Sequence, residues 1–259
     1  MRTEEISNNT ARIVGNARAK GLYTGILLLA GMTTNHLAWA DGAWETGALG
    51  KPVVWQQVVP TAIAPAPVPI RKVANFKGEN VSEAARQVVN WVVDSGDNAG
   101  LPFLIVDKVQ ARVLMFDAQG QLTGSASALL GMAVGDDTVP GIGQRRLSSI
   151  LPNERTTPAG RFEASVGRNL AGKEILWVDY DAAISLHRVV TSNAKERRAE
   201  RLASPLIEDN RISYGCINVP VAFFDEVVLP AFAGTNGIVY TLPETRENQS
   251  VFSSYYELE

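Results

Sequence analysis

The stretch Ser213-Tyr214-Gly215-Cys216-Ile217-Asn218 holds the single cysteine of this 259-residue chain. A thiolate is a far stronger nucleophile than a thiol, so a catalytic cysteine needs a neighbouring base or a positive potential that lowers its pKa. Gly215 permits a sharp backbone turn beside the sulfur, which would place the N–H groups of Gly215 and Cys216 around a tetrahedral oxyanion. We therefore predict that Cys216 is the nucleophile of an acyl-transfer reaction.

The first 40 residues have the pattern of a secretory signal peptide. Basic residues up to Lys20 precede an apolar run over 22–32 that is too short to span a bilayer comfortably, and Ala38-Trp39-Ala40 supplies small residues for cleavage. We expect a mature protein that begins near Asp41, lies in the periplasm or cell envelope, and keeps no stable membrane span. An uncleaved anchor or a buried helix is the alternative.

The histidines narrow the choice of general base. Cleavage after residue 40 removes His36 and leaves His187 as the one imidazole for the one thiol. An exported cysteine without a disulfide partner is a liability unless it is buried or reactive. We predict that His187, on a predicted strand, takes the proton of Cys216. A helix predicted directly after the cysteine would add a favourable field from its N-terminus.

Composition limits the class of partner. With 46% hydrophobic residues the chain can bury one sizeable core, which favours one catalytic domain. The formal net charge is −3, so the sequence has neither the basic surface that binds nucleic acid nor a polybasic membrane patch. No nucleotide-binding glycine loop is evident.

The order of the patterns predicts a mostly β domain. A Pro/Ala-rich linker, or an ordered strap, is expected over 41–72, and a helical lead-in over 73–100 contains an amphipathic helix from Ser82 to Ser95. Residues 246–259 form a C-terminal tail. Short strands are predicted over 103–106, 111–116, 122–130, 161–166, 175–180, 183–190 and 237–242. Helices are predicted over 193–202, with a solvated charged face, and over 220–229.

Three segments of the chain carry a resemblance to a known family. Residues 213–218 resemble the Ser/Thr-His-Gly-Cys-hydrophobic-Asn signature of the L,D-transpeptidases, the YkuD-like catalytic domain. Residues 106–117 resemble the opening hairpin of that family, and Thr156-Thr157-Pro158-Ala159-Gly160-Arg161-Phe162 resembles its Thr-Pro-x-Gly-x-Phe turn. The resemblance covers about 101–242. It implies an L,D-transpeptidase-like β-sandwich or barrel with a few flanking helices, which we assign to residues 101–245.

The resemblance also implies an activity on peptidoglycan stem peptides. The thiolate would attack the carbonyl of the third-position diamino acid, expel the terminal D-alanine, and pass the acyl group from a thioester to the amine of a neighbouring stem. Neither a metal nor an organic cofactor is implied. By matching position, Cys216 is the nucleophile, His187 its base, Gly215 part of the oxyanion site, and Ser213 and Asn218 supports of the loop.

The chain departs from the family pattern at two places. Tyr214 stands where the family has a histidine, and Arg188 follows His187 where a glycine is usual. His187 also lies farther from Cys216 along the chain, so the segment 193–210 is predicted to be an insertion that forms a lid or an altered cleft. The alternative function is a catalytically inactive or hydrolytic envelope protein of the same fold that binds peptidoglycan.

Several side chains around the motif are candidates for substrate binding. Arg188 and Arg211 could bind stem carboxylates, since a guanidinium matches carboxylate geometry, or could form ordinary ion pairs with acidic residues at 208 and 209. Tyr214 could contact the leaving group or simply pack. Trp177 and Tyr180 are expected in the core rather than at a ligand.

Overall fold

The computed structural model describes residues 71–258. The expected signal peptide at 1–40, and nearly all of the expected linker at 41–72, lie outside the described residues. None of the helices within 71–258 has the length and apolar character that a membrane crossing requires. The predicted domain boundaries stay a prediction.

The described part of the chain contains short strands and a few helices. The strands are β1 (Phe103–Asp107), β2 (Arg112–Phe116), β3 (Leu122–Ser127), β4 (Leu130–Gly131), β5 (Gly160–Arg168), β6 (Glu174–Asp179), β7 (Ile184–Arg188), β8 (Arg211–Ser213), β9 (Ile217–Val219) and β10 (Gly237–Thr241). The helices are α1 (Glu83–Ser95), α2 (Arg198–Ala203), α3 (Val221–Phe223), α4 (Leu229–Ala231) and α5 (Asn248–Val251). A π-helical turn, Phe224–Val228, joins α3 to α4.

One eight-stranded sheet dominates the fold, in the order β3-β2-β1-β10-β5-β6-β7-β9. Its neighbours are antiparallel except for β1 with β10 and β7 with β9, which are parallel. β4 and β8 form a separate short parallel pair. The prediction of a mostly β fold with a few flanking helices is confirmed, and the parallel β7–β9 pair positions the candidate site.

The central strands are buried on both faces, and alternate residues enter two hydrophobic clusters. On β1, Leu104 and Val106 belong to the first cluster, whereas Phe103 and Ile105 belong to the second. The first cluster collects one face of the strands from β2 across to β9, together with the helical segment 221–231. The second cluster is covered by α1 and by the apolar residues of segment 251–256.

Helix α1 follows the predicted pattern closely. The hydroxyl of Ser82 accepts the N–H of Ala85 at 3.1 Å, and Gly96 ends the helix with a left-handed φ of 72°. Its buried face consists of Ala85, Val88, Val89, Trp91 and Val92. The predicted helix from Ser82 to Ser95 is therefore confirmed.

Three sequence expectations require correction. The predicted strand over 122–130 divides into β3 and β4, because the chain leaves the large sheet after Ser127. The helix predicted over 193–202 is broken at Arg197, whose φ of 49° is left-handed. The helix predicted from 220 is present, but strand β9 separates it from Cys216, so the cysteine does not lie at a helix N-terminus. The expected helix field at the thiol is therefore wrong.

A buried ionic cluster, the Lys108 network, consists of Lys108, Asp136, Arg211 and Glu244. The ammonium of Lys108 is wholly buried, donates to Asp136 at 2.7 Å and to the Thr157 carbonyl at 3.0 Å, and lies 3.5 Å from Glu244. Arg211 forms an ion pair with Glu244 and donates to the Lys108 carbonyl at 2.9 Å. The network ties the turn after β1 to β8 and to the residues beneath the Cys216 loop.

Candidate active site

Cys216 and His187 lie on neighbouring parallel segments. Leu186 of β7 pairs with Ile217 of β9, which places Ser185 level with Cys216, one position before β9. Leu186 and Ile217 are wholly buried in the first cluster. Because side chains alternate along a strand, Ser185, His187 and Cys216 share the opposite face. The sheet register thus brings the predicted base and the predicted nucleophile together.

The thiol of Cys216 is half-buried, with its sulfur 3.7 Å from the Ser185 hydroxyl and 3.6 Å from the Ala183 carbonyl oxygen. Burial raises the pKa of Cys216, but the hydrogen bond and charge of His187, with hydrogen bonds from Ser185, outweigh burial. The net pKa of the thiol lies below its ordinary value. The reactive thiolate is therefore favoured at this position.

The imidazole of His187 is oriented by the backbone. Its Nδ1 lies 2.8 Å from the carbonyl oxygen of Arg188, and because a carbonyl can only accept, Nδ1 carries a proton and donates it. Nε2 is therefore the ring nitrogen that can accept the proton of the Cys216 thiol. Burial lowers the pKa of His187, but the hydrogen bond and charge of Cys216 and the bond to Arg188 raise it above its ordinary value, against the charge of Arg198. The thiolate and the imidazolium therefore stabilise each other.

Hydrogen bonds fix the loop that carries the thiol. The N–H of Gly215 donates to the Ser213 hydroxyl at 3.0 Å, and that hydroxyl donates to the Cys216 carbonyl at 2.6 Å. The Thr157 hydroxyl donates to the Gly215 carbonyl at 2.8 Å. The Gly215 amide, expected as an oxyanion donor, is thus already engaged. Within residues 71–258 we find no protein acceptor for the Cys216 N–H, which leaves it as the candidate donor.

Both the backbone angle and the neighbouring atoms at position 215 require a glycine there. Its φ is +125°, and a Cβ atom there would lie 2.6 Å from the Thr156 carbonyl oxygen and 2.7 Å from Ile184. A carbonyl oxygen cannot move aside as a flexible side chain can. The Thr-Pro segment therefore packs directly beneath the Cys216 loop.

We expect Gly215→Ala to lower the free energy of unfolding by roughly 2–4 kcal/mol, through backbone strain and overpacking. Gly234→Ala is the matched control, because Gly234 has a φ of +75° but nothing within 4 Å of the added methyl group. This control should cost only about 1 kcal/mol. Denaturant unfolding of both variants measures the difference, and equal losses would show that the clash at Gly215 is not real.

Asn218 connects the Cys216 loop to the segment 193–210. This buried side chain donates to the Cys216 carbonyl at 3.2 Å and accepts from Arg198 at 2.8 Å. Arg198 also pairs with Glu196, and only 13% of its side chain is exposed. The charge run was predicted to be a solvated face, which is wrong for Arg198. Arg198 therefore links the segment 193–210, which was predicted to be an insertion, to the Cys216 loop.

The structure does not bring Arg188 and Arg211 to the cleft that contains Cys216. Arg188 points to the other face of β7, where it pairs with Asp225 at 2.6 Å and lies 4.4 Å over the ring of Phe224. Arg211 is held by Glu244 in the Lys108 network. Both guanidinium groups are therefore already satisfied by protein partners, and neither is positioned for a stem carboxylate.

Cys216 opens into a cleft with a volume of about 330 Å³. Most of its wall is apolar and is formed by Ile142, Leu147, Ile150, Leu170, Trp177, Ala182, Ala183 and Ile184. Its polar lining residues are Thr138, Arg145, Thr156 and Tyr214. In the part of the chain that the structure describes, no cluster of histidine, cysteine and carboxylate side chains could hold a metal ion.

Trp177 belongs to the cleft rather than to the core. It pairs with Ser185 in the sheet register, so it shares the face of Cys216. Tyr180 lies against its ring at 5.0 Å between centroids and is 76% exposed. The expectation that both aromatic side chains are buried in the core is therefore wrong, because the strand alternation places Leu176 and Val178 there instead.

Tyr214 lies in the cleft wall and contacts a residue that the sequence motifs did not identify. The guanidinium carbon of Arg155 lies 3.9 Å from the centroid of the Tyr214 ring. Arg155 directly precedes the Thr-Pro segment, whose Thr157 supports the Cys216 loop. Its position beside that motif was a signal in the sequence, but its contact with Tyr214 required the fold.

No protein-family model matches this chain, and no curated protein matches it either. Among solved structures, the helical cell shape determining protein Pgp2 from Campylobacter jejuni matches with 15% identity and a TM-score of 0.37, over 56% of this chain and 49% of its own. An Enterococcus faecium L,D-transpeptidase, in a cysteine-to-serine mutant form, matches with 16% identity and a TM-score of 0.30, over 54% and 49%. An L,D-transpeptidase from Mycobacterium smegmatis matches with 12% identity and a TM-score of 0.31, over 54% and 58%.

This chain spans about half the length of these solved proteins. At identities of 12–16% and TM-scores of 0.30–0.37, the likenesses carry no argument about what the chain does. The matching structures include L,D-transpeptidase catalytic domains, the family that the sequence motifs resemble.

Proposed function

We propose that this chain is a cysteine-dependent L,D-transpeptidase that acts on peptidoglycan stem peptides in the cell envelope, through a thioester acyl-enzyme. The observation that carries this proposal is the register of β7 with β9, which sets His187 on the same face as Cys216 where Cys216 lines a cleft. The directions of the two pKa shifts, down for the thiol and up for the imidazole, agree with that pairing. A thiolate paired with a base that is itself oriented by a third group is the arrangement that nucleophilic catalysis requires.

The chemistry divides into two acyl transfers. In the first, the Cys216 sulfur bonds to the carbonyl carbon of the third-position diamino acid, and the bond from that carbon to the terminal D-alanine breaks. The His187 imidazolium gives its proton to the departing amine. The Cys216 N–H would stabilise the oxyanion, a contribution of about 3–4 kcal/mol for one such donor.

In the second transfer, the side-chain amine of a neighbouring stem attacks the thioester. Neutral His187 accepts the amine proton, the new amide forms, and the thiolate of Cys216 departs. The Nδ1 hydrogen bond to the Arg188 carbonyl keeps the imidazole in one orientation through both steps. No step requires a metal or an organic cofactor.

The decisive experiment is mass spectrometry of the full chain incubated with a tetrapeptide stem. We expect a covalent adduct on Cys216, with release of D-alanine and, when an acceptor stem is present, a cross-linked product. Release of the tripeptide with or without acceptor would identify a hydrolase instead. If neither adduct nor product forms while the stem still binds, the chain is a non-catalytic peptidoglycan-binding protein.

The coupling of the two catalytic groups predicts a pH effect. The alkylation rate of a thiol follows its thiolate fraction, so the lowered pKa of Cys216 moves the rise in rate to lower pH than for an ordinary cysteine. In His187→Gln, burial remains while the opposing interaction is lost, so the rise should move to higher pH. Iodoacetamide labelling is specific here, since the chain has one cysteine. An unchanged pH profile in this variant would contradict the pairing.

A further inference from the structure

Side-chain hydrogen bonds fix the backbone on both sides of the nucleophile. The Cys216 carbonyl accepts from the Ser213 hydroxyl at 2.6 Å and from the Asn218 amide at 3.2 Å. On the other side, the Thr157 hydroxyl donates to the Gly215 carbonyl at 2.8 Å. A peptide group is planar, so a held carbonyl also fixes the N–H that follows it. The two peptide groups that flank Cys216 therefore set the direction of its N–H and of its thiol.

Only one orientation of the Asn218 amide supports the Cys216 carbonyl. A carbonyl can only accept, so Nδ2 must face it, and Oδ1 must then face a donor. Arg198 supplies that donor, because its Nη1 lies 2.8 Å from Oδ1 and a guanidinium can only donate. Within residues 71–258 no other group donates to this oxygen. Asn218 is wholly buried, so removal of Arg198 would leave Oδ1 unsatisfied and the amide without a fixed orientation.

The guanidinium of Arg198 is itself held in place. It forms an ion pair with Glu196 of the same segment, and only 13% of the Arg198 side chain is exposed. At the end of the segment 193–210, the buried side chain of Asn210 donates to the Ala128 carbonyl at 2.9 Å. The segment is therefore anchored to the strands, and it presents Arg198 to Asn218 at a fixed position.

The sheet register also brings Arg198 close to the base. Asn218 pairs with His187 between β9 and β7, so the group that binds Asn218 acts on the imidazole as well. Burial lowers the pKa of His187, Cys216 raises it, and the charge of Arg198 lowers it. Cys216 comes from the loop before β9 and Arg198 from the segment 193–210, where Glu196 pairs with it. The neighbour of His187 on β7, Arg188, points to the other face.

We propose that Arg198 is a positioning residue for the acyl transfer: it fixes the Asn218 amide in the orientation that supports the Cys216 carbonyl, and so makes turnover depend on the segment 193–210. This inference rests on the proposed function and adds to it a residue that lies outside the sequence motifs. Arg198 acts through Asn218 and requires no contact with the substrate.

The first test compares kcat and KM for a tetrapeptide stem in wild type and Arg198→Met. A misplacement of about 1 Å can cost 10²-fold in rate, so kcat should fall roughly 10- to 100-fold while KM stays within about twofold. Arg198→Lys keeps a charged donor and should recover part of kcat. Arg197→Met is the matched control, because Arg197 pairs with Glu200 and 69% of its side chain is exposed. The control should leave kcat within about twofold of wild type.

A double-mutant cycle with Asn218→Ala tests whether Arg198 acts through the amide. In the Asn218→Ala background, Arg198→Met should lower kcat by less than about twofold more, because the group that it orients is absent. An undiminished loss in that background would overturn the inference. So would an unchanged kcat in Arg198→Met, or equal losses in Arg197→Met and Arg198→Met.

Titration of the imidazole by NMR adds a measurement that does not depend on turnover. The chain has two histidines, so His187→Gln identifies the resonance of His187. Because the charge of Arg198 lowers the pKa of His187, Arg198→Met should move this titration to higher pH. Arg198→Lys keeps the charge and should leave the titration close to that of wild type. A titration that does not move in Arg198→Met would contradict the inference.

The same spectra separate this inference from the proposed function. If wild-type protein forms no acyl-enzyme, the proposed function is wrong, and Arg198 is judged by the titration and by hydrogen exchange of the Asn218 side-chain amide. Exchange should be faster in Arg198→Met than in wild type and in Arg197→Met, because the buried amide is no longer held. Equal exchange in all three proteins would show that Arg198 does not position Asn218.

Discussion

Cys216→Ala is expected to abolish acyl-enzyme formation, and Cys216→Ser is expected to reduce turnover by roughly 10⁴- to 10⁶-fold, the range seen when a catalytic nucleophile is removed. The serine hydroxyl can occupy the same position beside Ser185 and His187. It ionises far less readily than the thiol, however, and cannot form the thiolate that pairs with the imidazolium. The loss should therefore appear in kcat rather than in KM.

Single-turnover incubation with a tetrapeptide stem, followed by mass spectrometry and product analysis, measures acyl-enzyme formation and turnover in both variants. The free energy of unfolding should change by less than about 1 kcal/mol in Cys216→Ser, since the shape of the side chain is kept. Ser185→Ala serves as the graded comparison, because it removes the hydroxyl contact to the sulfur at 3.7 Å but retains the cysteine and the backbone hydrogen bond of residue 185. Cross-linking that survives in Cys216→Ala would rule out the proposed mechanism.

The Lys108 network predicts the largest effect on stability. Asp136→Asn or Lys108→Met should lower the free energy of unfolding by about 3–5 kcal/mol, since each removes the nearest partner of a buried charge and leaves only a longer ion pair, from Lys108 to Glu244 at 3.5 Å or from Asp136 to Arg246 at 3.7 Å. Burial raises the pKa of Asp136, but hydrogen bonds from Lys108, Thr245 and two amides hold it well below its usual range. This stabilisation is therefore present above the unfolded-state pKa and is lost only as pH falls through the lower folded-state pKa.

Denaturant unfolding at neutral pH measures these losses, with Asp137→Asn as the matched control. Asp137 pairs with Arg246 at 3.0 Å, but its side chain is 81% exposed, so the control should change stability by at most about 1 kcal/mol. The double variant Lys108→Met with Asp136→Asn should lose less than the sum of the two single losses, because both charges of the pair are removed while Glu244 keeps Arg211. Strictly additive losses would mean that the two groups do not interact.

Local patterns predicted most of the fold. Helix α1 was predictable because its cap, its apolar period and its terminal glycine all lie within one short stretch. The strands of the large sheet were predictable as apolar runs bounded by turn residues. Cys216, His187 and Gly215 stood out because the chain contains so few thiols and imidazoles, and because glycine beside a nucleophile has a specific backbone use.

What escaped prediction depends on long-range contact. β8 and β9 contain three residues each, too few for an alternating pattern, and they form only because β4 and β7 offer edges to pair with. The apolar character of Trp177 suggested the core, whereas the register placed it in the cleft. Arg155 and Arg198 are ordinary charged residues in the sequence, and only the folded chain sets one against Tyr214 and the other against Asn218.

The pairing of β7 with β9 makes the spatial alignment of His187 and Cys216 independent of the number of residues between them in the sequence. Lateral hydrogen bonds between the strands fix how His187 faces Cys216, and the length of the intervening chain does not enter that alignment. Surface connections lengthen at small entropic cost. The number of residues between His187 and Cys216 can therefore change without altering how the two side chains face each other, so their separation along the sequence is a poor guide to their separation in space.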